Sequence, residues 1–260
     1  MPKRTLKGKV AVITGVGSGF AKATAELFAE LDQVSLVLID INEEALKATA
    51  DNCKAAGSQV VAFVGDVTKP ETFERALKET LGNFGKVDFL INYAGGALRV
   101  APIEEMDDEI NRRIIDLNLT STIMSCRTFT PQFKKQGFGK IINVSSACDR
   151  RSWPGWSVYS AAKAGVIGLA RSAAATYAGK GIRVNAVAPG LVDTPMAAAI
   201  TSNELMLKAS TAMHPLGRIG TPEEVASVIA WLLSDAAGWV TGQVIGIDGG
   251  LGTIRGKASP

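Results

Sequence analysis

The sequence contains few of the residues that build metal centres or disulfide frameworks. Its 260 residues include one histidine and three cysteines, Cys53, Cys126 and Cys148. The count of cysteines is odd, and their spacing is not that of metal ligands, so we expect neither a disulfide framework nor a bound metal. Such a cysteine pattern is usual in a reducing compartment, and we therefore expect a cytoplasmic location.

Long apolar runs and long runs of one charge are also missing. No stretch approaches the length of a membrane span, and the charged N-terminus is not followed by an apolar segment. The 28 basic and 25 acidic residues are interspersed and give a net charge of +3. This distribution predicts an ordinary solvated surface, with neither a membrane nor a nucleic acid as partner.

Apolar residues make up 47% of the chain, which suffices for a sizeable core. Short apolar runs alternate with helical patterns almost to the end of the chain. The predicted strands are Val10–Thr14, Val34–Ile39, Val60–Val64, Val87–Ile91, Lys140–Val144, Ile182–Ala188 and Gln243–Ile247. The predicted helices are Lys22–Leu31, Glu43–Ala55, Pro70–Phe84, Glu109–Gln136, Val158–Ala178 and Pro222–Ser234.

This alternation predicts an α/β fold, namely a doubly wound, seven-stranded parallel sheet with helices on both faces, of Rossmann-like type. The length alone would allow one large domain or two small ones. No linker or change of composition divides the chain, so we expect a single domain over residues 1–260.

A glycine-rich turn follows the first predicted strand. It reads Gly15-Val16-Gly17-Ser18-Gly19-Phe20-Ala21 and precedes a helical pattern. Glycines permit a tight turn, and the N–H groups and dipole of the helix start favour an anion. The sequence therefore predicts a phosphate cradle. Its pattern is T-G-x-x-x-G-x-A, because Phe20 occupies the place where G-x-G-x-x-G has its last glycine.

Tyr159 and Lys163 are spaced four residues apart within a predicted helix and therefore share one helical face. An ammonium beside a phenol lowers the pKa of the phenol from its ordinary value of about 10. Such a pair can exchange a proton with an alcohol oxygen. Ser146 lies upstream, just after the predicted strand Lys140–Val144, and strand ends are where open α/β sheets place their chemistry.

These motifs, together with Asn118, resemble the short-chain dehydrogenase/reductase family in its shorter, single-domain form. The resemblance extends from about Lys7 to Gly250, and it implies that residues 1–260 form a single dinucleotide-binding and catalytic domain. It implies hydride exchange between a nicotinamide cofactor and a small-molecule secondary alcohol or ketone. It also implies a homotetramer in which the helices carrying Asn118 and Tyr159 pack against their copies.

The resemblance further implies four catalytic residues. Tyr159 is the general acid in reduction and the base in oxidation, while Lys163 lowers the pKa of Tyr159 and binds the nicotinamide ribose. Ser146 donates a hydrogen bond to the substrate oxygen, and Asn118 holds a water that links Lys163 to solvent.

The cofactor contacts implied in the same way lie mostly after the predicted strands. They are Gly15, Ser18, Gly19, Phe20, Asp40, Ile41, Asp66, Val67, Asn92, Ala94, Gly95, Tyr159, Lys163, Pro189, Gly190, Val192 and Thr194. The sequence departs from the family pattern next to Asn92, where Tyr93 replaces the second asparagine that is usual in the family.

Asp40 follows the second predicted strand and bears on the choice of cofactor. A carboxylate there can accept hydrogen bonds from an adenosine ribose and repels the 2′-phosphate of NADP. Ser18 stands where phosphate-selecting relatives often have Arg or Lys. Both features predict NAD as the cofactor. The alternative role for Asp40 is an exposed turn residue before the next helix.

The substrate pocket is expected to be apolar. Trp153, Trp156 and Met196 are its candidate wall, although either tryptophan could instead lie in a subunit contact. Cys148 is a further candidate, with a small half-buried packing residue as the alternative. A bulky apolar or aromatic ketone suits this wall, and a polyol stays open as an alternative substrate.

Residues 191–221 interrupt the alternation of strands and helices. By resemblance, this segment is a lid over the substrate; the alternative is a packed surface pair of helices. It contains His214, which we expect to be structural.

Three functions stay open. The first is an NAD-dependent alcohol dehydrogenase or ketoreductase. The second is an NADPH-dependent 3-oxoacyl-acyl-carrier-protein reductase, which Asp40 disfavours. The third is a catalytically silent nucleotide-binding scaffold, which the Asn–Ser–Tyr–Lys set disfavours.

Overall fold

A computed structural model describes residues 5–254 and places seven parallel strands in one sheet. The strands are β1 (Val10–Thr14), β2 (Ser35–Asp40), β3 (Val60–Val64), β4 (Phe89–Asn92), β5 (Gly139–Val144), β6 (Ile182–Pro189) and β7 (Val244–Ile247). Their order is β3-β2-β1-β4-β5-β6-β7. The predicted strands are all present with bounds shifted by at most two residues, and the predicted fold class is confirmed.

The α-helices connect these strands. They are α1 (Gly19–Asp32), α2 (Glu43–Ala55), α3 (Pro70–Phe84), α4 (Asp108–Ile115), α5 (Ser121–Gln136), α6 (Ser157–Tyr177), α7 (Ala198–Thr201), α8 (Glu204–Met213) and α9 (Pro222–Leu233). Two buried apolar clusters form the core, one on each face of the sheet. The outer residues of the predicted domain, 1–4 and 255–260, lie outside the described residues.

The direction in which successive strands are added to the sheet reverses between β1 and β4. From β1 the sheet proceeds through β2 to β3 on one side, and through β4 to β7 on the other. At such a switch point the connections leave in opposite directions and open a crevice at the carboxyl ends of the strands. The topology therefore brings the ends of β1, β2 and β4 together around one crevice.

The single long helix predicted over Glu109–Gln136 is wrong. The chain forms α4, then one π-helical turn over Asp116–Thr120, then α5. The buried side chain of Asn118, within this turn, bonds across to Gly96 and back to the Ile114 carbonyl. These contacts accompany the widened turn, as π-bulges commonly do at functional sites.

Residues 191–221 form a short 3₁₀ turn followed by α7 and α8, which lie after the carboxyl end of β6. This is the place the sequence predicts for a lid, and its closing over a ligand stays a prediction. The segment is joined to the end of β7 through the Leu216 N–H, which donates to the Gly249 carbonyl at 3.1 Å.

Two cations, the buried Lys140 and the half-buried Arg183, lie at the opposite, amino end of the sheet. Lys140, in β5, donates to the Leu233 carbonyl at 2.7 Å and to the Asp235 carboxylate at 3.0 Å. Arg183, in β6, donates to the carbonyls of Leu232 and Val240 at 2.7 and 2.9 Å. The bonds to the Leu232 and Leu233 carbonyls satisfy groups at the end of α9 that have no intrahelical partner.

Candidate active site

A cavity of about 300 Å³ lies at the switch point, above the glycine-rich turn. Its wall contains a large part of the predicted cofactor set: Gly15, Ser18, Gly19, Phe20, Asp40, Ile41, Asp66, Val67, Ala94, Gly95 and Thr194. These residues come from separate strand ends and loops. The topology therefore brings together residues that the sequence leaves far apart.

The glycine-rich turn fits an anionic group. Gly15 has a φ of 76°, and a Cβ there would lie 3.0 Å from the Ala94 backbone, so only glycine fits without strain. Helix α1 begins at Gly19, its first turn has no acidic residue, and the Ser18 side chain does not cap it. Its first N–H groups are thus available to a pyrophosphate.

Asp40 is held in the wall of this cavity by main-chain donors. Its carboxylate accepts from the Gly17 N–H at 2.7 Å and from the Asn42 N–H at 2.8 Å. A Cβ on Gly17 would lie 3.0 Å from the same carboxylate. The carboxylate is therefore fixed in position, and within residues 5–254 no lysine or arginine lines the cavity beside it.

The Asn92 side chain does not line the cavity. It donates to Asn143 at 2.8 Å and accepts from Ser125 at 2.7 Å, within the buried interior between β4, β5 and α5. The predicted cofactor contact therefore does not hold for this side chain. Its amide satisfies neighbouring strand residues, because an unpaired buried amide would be costly.

Tyr93, the departure from the family pattern, braces α1 against β4. Its hydroxyl donates to the Thr24 hydroxyl, which in turn donates to the Phe20 carbonyl at 2.7 Å. The Tyr93 and Phe20 rings are 5.5 Å apart. Burial raises the pKa of Tyr93 well above its ordinary value, so this phenol stays neutral and packs the wall of the cavity.

A second cavity of about 140 Å³ adjoins the first, and Phe20, Thr194 and Met196 line both. It brings together eight further predicted residues, Ser146, Cys148, Trp153, Trp156, Tyr159, Pro189, Gly190 and Val192. Asn92, Asn118 and Lys163 line neither cavity. In the described part of the chain, every side chain around this second cavity is uncharged.

The aromatic residues of the second cavity pack in series. The Trp156 ring meets Tyr159 edge-on with centroids 5.3 Å apart, and Trp153 meets Trp156 edge-on at 6.3 Å. Trp156 is thus a packing partner of the Tyr159 ring as well as a wall residue. Such aromatic pairs contribute beyond simple apolar burial.

Burial raises the pKa of Tyr159 above its ordinary value of 10, with a smaller opposing contribution from the Ser146 side chain. Burial thus dominates the pKa of this phenol, and the predicted lowering by Lys163 stays a prediction. Removal from water disfavours the phenolate. At neutral pH, Tyr159 is accordingly a protonated phenol that can donate.

Lys163 is buried one turn further along α6. Its Nζ donates to the Val144 carbonyl at 2.9 Å and lies 5.6 Å from the centroid of the Tyr159 ring. Burial lowers its pKa to about 8. An ammonium has three hydrogens, so one main-chain acceptor leaves donor capacity for a ligand.

Asn118 lies directly behind Gly95 and Gly96. Its Oδ1 accepts from the Gly96 N–H at 3.0 Å, and its Nδ2 donates to the Gly96 carbonyl at 2.8 Å. A Cβ on Gly95 would lie 2.6 Å from Asn118 Oδ1 and 3.1 Å from Lys163 Nζ. Asn118 therefore fixes the loop beside Lys163, and its predicted water stays a prediction.

The sequence missed several wall residues. Ala21, Gly65 and Leu117 line the first cavity, and Ser145, Ala147, Leu191, Ala197, Ile200 and Leu251 line the second. Most are neighbours of predicted residues, and adjacency would have found them. Leu251 is the exception, because only the tertiary fold brings the turn after β7 to this cavity.

Across residues 5–254, no group of His, Cys, Asp and Glu side chains is arranged to hold a metal ion. The same described residues include no helix that is long and apolar enough to span a bilayer.

The sequence matches the model of a family described as enoyl-(acyl carrier protein) reductase over residues 15–252. It is 40% identical to a 3-oxoacyl-acyl-carrier-protein reductase from Thermotoga maritima over 246 residues, which are 95% of this chain and 98% of that one. It is 41% identical to a cyclohexanol dehydrogenase from Acinetobacter sp. over 241 residues, 93% and 94% of the two chains.

Solved structures share the fold closely. A 3-ketoacyl-(acyl-carrier-protein) reductase from Brucella melitensis, complexed with NADH, has a TM-score of 0.88 at 31% identity, covering 95% of this chain and 99% of that one. A dehydrogenase from Beutenbergia cavernae with bound NADP has a TM-score of 0.89 at 33% identity, covering 95% and 98%. A nicotinamide dinucleotide is therefore the supported class of cofactor. The chain belongs to the short-chain dehydrogenase/reductase family and is an oxidoreductase that acts on alcohols or ketones.

Proposed function

We propose that the protein is an NAD-dependent alcohol dehydrogenase or ketoreductase for a fairly bulky, uncharged and mostly apolar secondary alcohol or ketone. The observation that carries this proposal is the second cavity, in which Ser146 and Tyr159 face apolar and aromatic walls without a charged side chain. A charged substrate would be desolvated there without a partner.

The groups of this chain divide the reaction between them. Tyr159, kept neutral by burial, donates its proton to the ketone oxygen during reduction. The Ser146 hydroxyl accepts from the Cys148 N–H at 3.2 Å, which leaves its hydrogen available to the substrate oxygen. The nicotinamide supplies the hydride when it is bound.

Lys163 and Asn118 support the proton transfer. After Tyr159 gives up its proton, the Lys163 ammonium stabilises the phenolate that is left, an interaction stronger in the transition state than in the ground state. Lys163 also offers a donor to the nicotinamide ribose, and Asn118 keeps the adjacent loop in place with its two bonds to Gly96.

The preference for NAD rests on Asp40. Its fixed carboxylate can accept from a ribose hydroxyl and repels a 2′-phosphate, and Ser18 adds no positive charge. Replacing Asp40 with Ala should weaken NAD binding and shift the kcat/KM ratio toward NADP by about tenfold. The measurement is kcat/KM with both cofactors; a wild type that already prefers NADPH would contradict this part of the proposal.

The substrate class is tested with the wild type and a pocket variant. We expect turnover of cyclohexanone and larger cyclic or aryl ketones with NADH. Trp153→Ala should change the ranking of ketones of graded size, by about tenfold between extremes, while the Kd for NADH is unchanged. A uniform loss of activity, or dissociation of an oligomer, would remove Trp153 from the substrate site.

A second candidate is the NADPH-dependent 3-oxoacyl-acyl-carrier-protein reductase, which the Thermotoga maritima relative favours. Measuring acetoacetyl thioester reduction beside cyclohexanone separates the two. Higher kcat/KM with the thioester and NADPH would select this second function.

We also propose a homotetramer in the cytoplasm. Ala161, Ala164 and Gly168 form an exposed strip of small residues on α6, which permits close approach of a second helix. The oligomer mass in solution tests this assembly, and a monomer would contradict it.

A further inference from the structure

The sole histidine of the sequence, His214, lies immediately after α8 and is 2% exposed. It is absent from the walls of both cavities and therefore does not meet a ligand directly. Its two ring nitrogens nevertheless have defined main-chain partners on two different elements.

The partners fix the tautomer of the ring. Nδ1 lies 2.7 Å from the Ser210 carbonyl, which only accepts, so Nδ1 carries the hydrogen. Nε2 lies 3.2 Å from the Leu191 N–H, which only donates, so Nε2 is the acceptor. His214 thus connects α8 to the first residues after β6.

The segment it reaches is the wall of the active site. Pro189, Gly190, Leu191 and Val192 all line the second cavity beside Tyr159. The Leu191 carbonyl accepts from the Gly220 N–H at 2.9 Å, and the Gly190 N–H donates to Ile247 at 3.0 Å. The Leu191 N–H, between these two anchored groups, has His214 as its partner.

The ring also packs tightly against this segment. A Cβ on Gly190 would lie 2.9 Å from His214 Nε2 and 3.0 Å from the Asp248 Cα. The imidazole therefore sets how far the backbone of Gly190 can withdraw from the cavity. The hydrogen bond thus acts on Leu191 and the close packing on Gly190, which are adjacent residues.

We propose that His214 is a positioning residue, which holds the backbone of residues 190–192 at the distance that hydride transfer requires. This inference rests on the proposed function, in which that segment borders the nicotinamide and the substrate. His214 touches neither of them; it acts through the Leu191 N–H and through contact with Gly190.

Two amide substitutions separate the two hydrogen bonds. In His214→Asn, the amide nitrogen takes the place of Nδ1, so the donor to Ser210 is retained and the acceptor for Leu191 is lost. In His214→Gln, the amide oxygen takes the place of Nε2, so the acceptor for Leu191 is retained and the donor to Ser210 is lost. Each variant lacks one hydrogen bond, and the pair is therefore matched for stability.

We expect the two variants to have similar melting temperatures and different kinetics. His214→Asn should lower kcat/KM for cyclohexanone about tenfold, chiefly through kcat, because a displaced wall misaligns the reacting atoms. It should weaken NADH binding and leave the Kd for ADP, which lacks the nicotinamide half, unchanged. His214→Gln should stay within about twofold of the wild type in each measurement.

Equal kinetics in the two variants, or a greater loss in His214→Gln, would overturn the proposal. So would an unfolded His214→Asn beside a folded His214→Gln, since the ring would then be a folding requirement. If the wild type reduces no ketone, the proposed function fails separately. The Kd values for NADH and ADP then decide the positioning role, and parallel changes in both would refute it.

Discussion

A buried lysine lies near each end of β5, one in the strand itself and one on α6, and the surroundings of the two differ. Lys140, near the amino end, donates to the Leu233 carbonyl and to the Asp235 carboxylate. Lys163 is held at the carboxyl end by the Val144 carbonyl at 2.9 Å, and within residues 5–254 it forms no ion pair. Both side chains are about 5% exposed, so accessibility does not distinguish them.

The difference lies in how each charge is compensated. Burial lowers the pKa of both lysines, but Asp235 opposes this effect at Lys140. At Lys163 the pKa falls to about 8 with no carboxylate to oppose it. A buried cation with a carboxylate partner stabilises the fold. A buried cation without one indicates a functional site, where a ligand or a reaction intermediate supplies the negative charge.

The largest expected effect is on activity at the carboxyl end. Lys163→Met keeps the length of the side chain and removes the charge. We expect kcat for ketone reduction to fall by about a hundredfold or more and NADH binding to weaken. The unfolding free energy should not fall, because a buried charge is removed. Activity close to that of the wild type would contradict the assignment of Lys163 to the reaction.

The second expected effect is on the pH dependence of stability. The folded-state pKa of Lys163 is about 8, below its ordinary value of 10.5. Between these values the unfolded chain binds more protons, so the folded state gains stability as pH rises. Relative to Lys163→Met, the wild type should gain up to about 3 kcal/mol between pH 8 and 10.5. Chemical denaturation of both proteins across this range measures the gain, and a flat difference would contradict the depressed pKa.

The smallest effect is expected at the amino end. Lys140→Met leaves the Leu233 carbonyl and Asp235 without their donor. We expect the unfolding free energy to fall by about 1–2 kcal/mol and kcat to stay within about twofold of the wild type. Lys163→Met is the matched control, since the same substitution removes the buried lysine that lies near the other end of β5. Loss of activity in Lys140→Met at full stability would refute the division of roles.

The sequence alone predicted the fold and most of both cavity walls. The short apolar runs predicted the strands, because a run of apolar residues can be recognised from neighbouring positions in the sequence alone. The motifs located Gly15, Asp40 and Ser146, since each lies at or just after the carboxyl end of a strand that faces the crevice. Tyr159 was located by its spacing from Lys163 on α6.

What the sequence missed depends on distant partners. The π-turn at Asn118 occurs together with hydrogen bonds to Gly96, 22 residues away. The Asn92 side chain turns inward because Asn143 and Ser125 meet it there. The pKa of Tyr159 rises because the folded protein removes its hydroxyl from water, an effect that the spacing of Tyr159 and Lys163 does not contain.

The central claim is that Tyr159 supplies the proton during ketone reduction, and Tyr159→Phe tests it most directly. The substitution keeps the ring and its edge-on contact with Trp156 and removes only the hydroxyl. The measurement is single-turnover oxidation of bound NADH by cyclohexanone, with the Kd for NADH determined in parallel. We predict a Kd close to that of the wild type and a rate lower by about a hundredfold or more. A rate equal to that of the wild type would contradict the assignment of Tyr159 as the general acid.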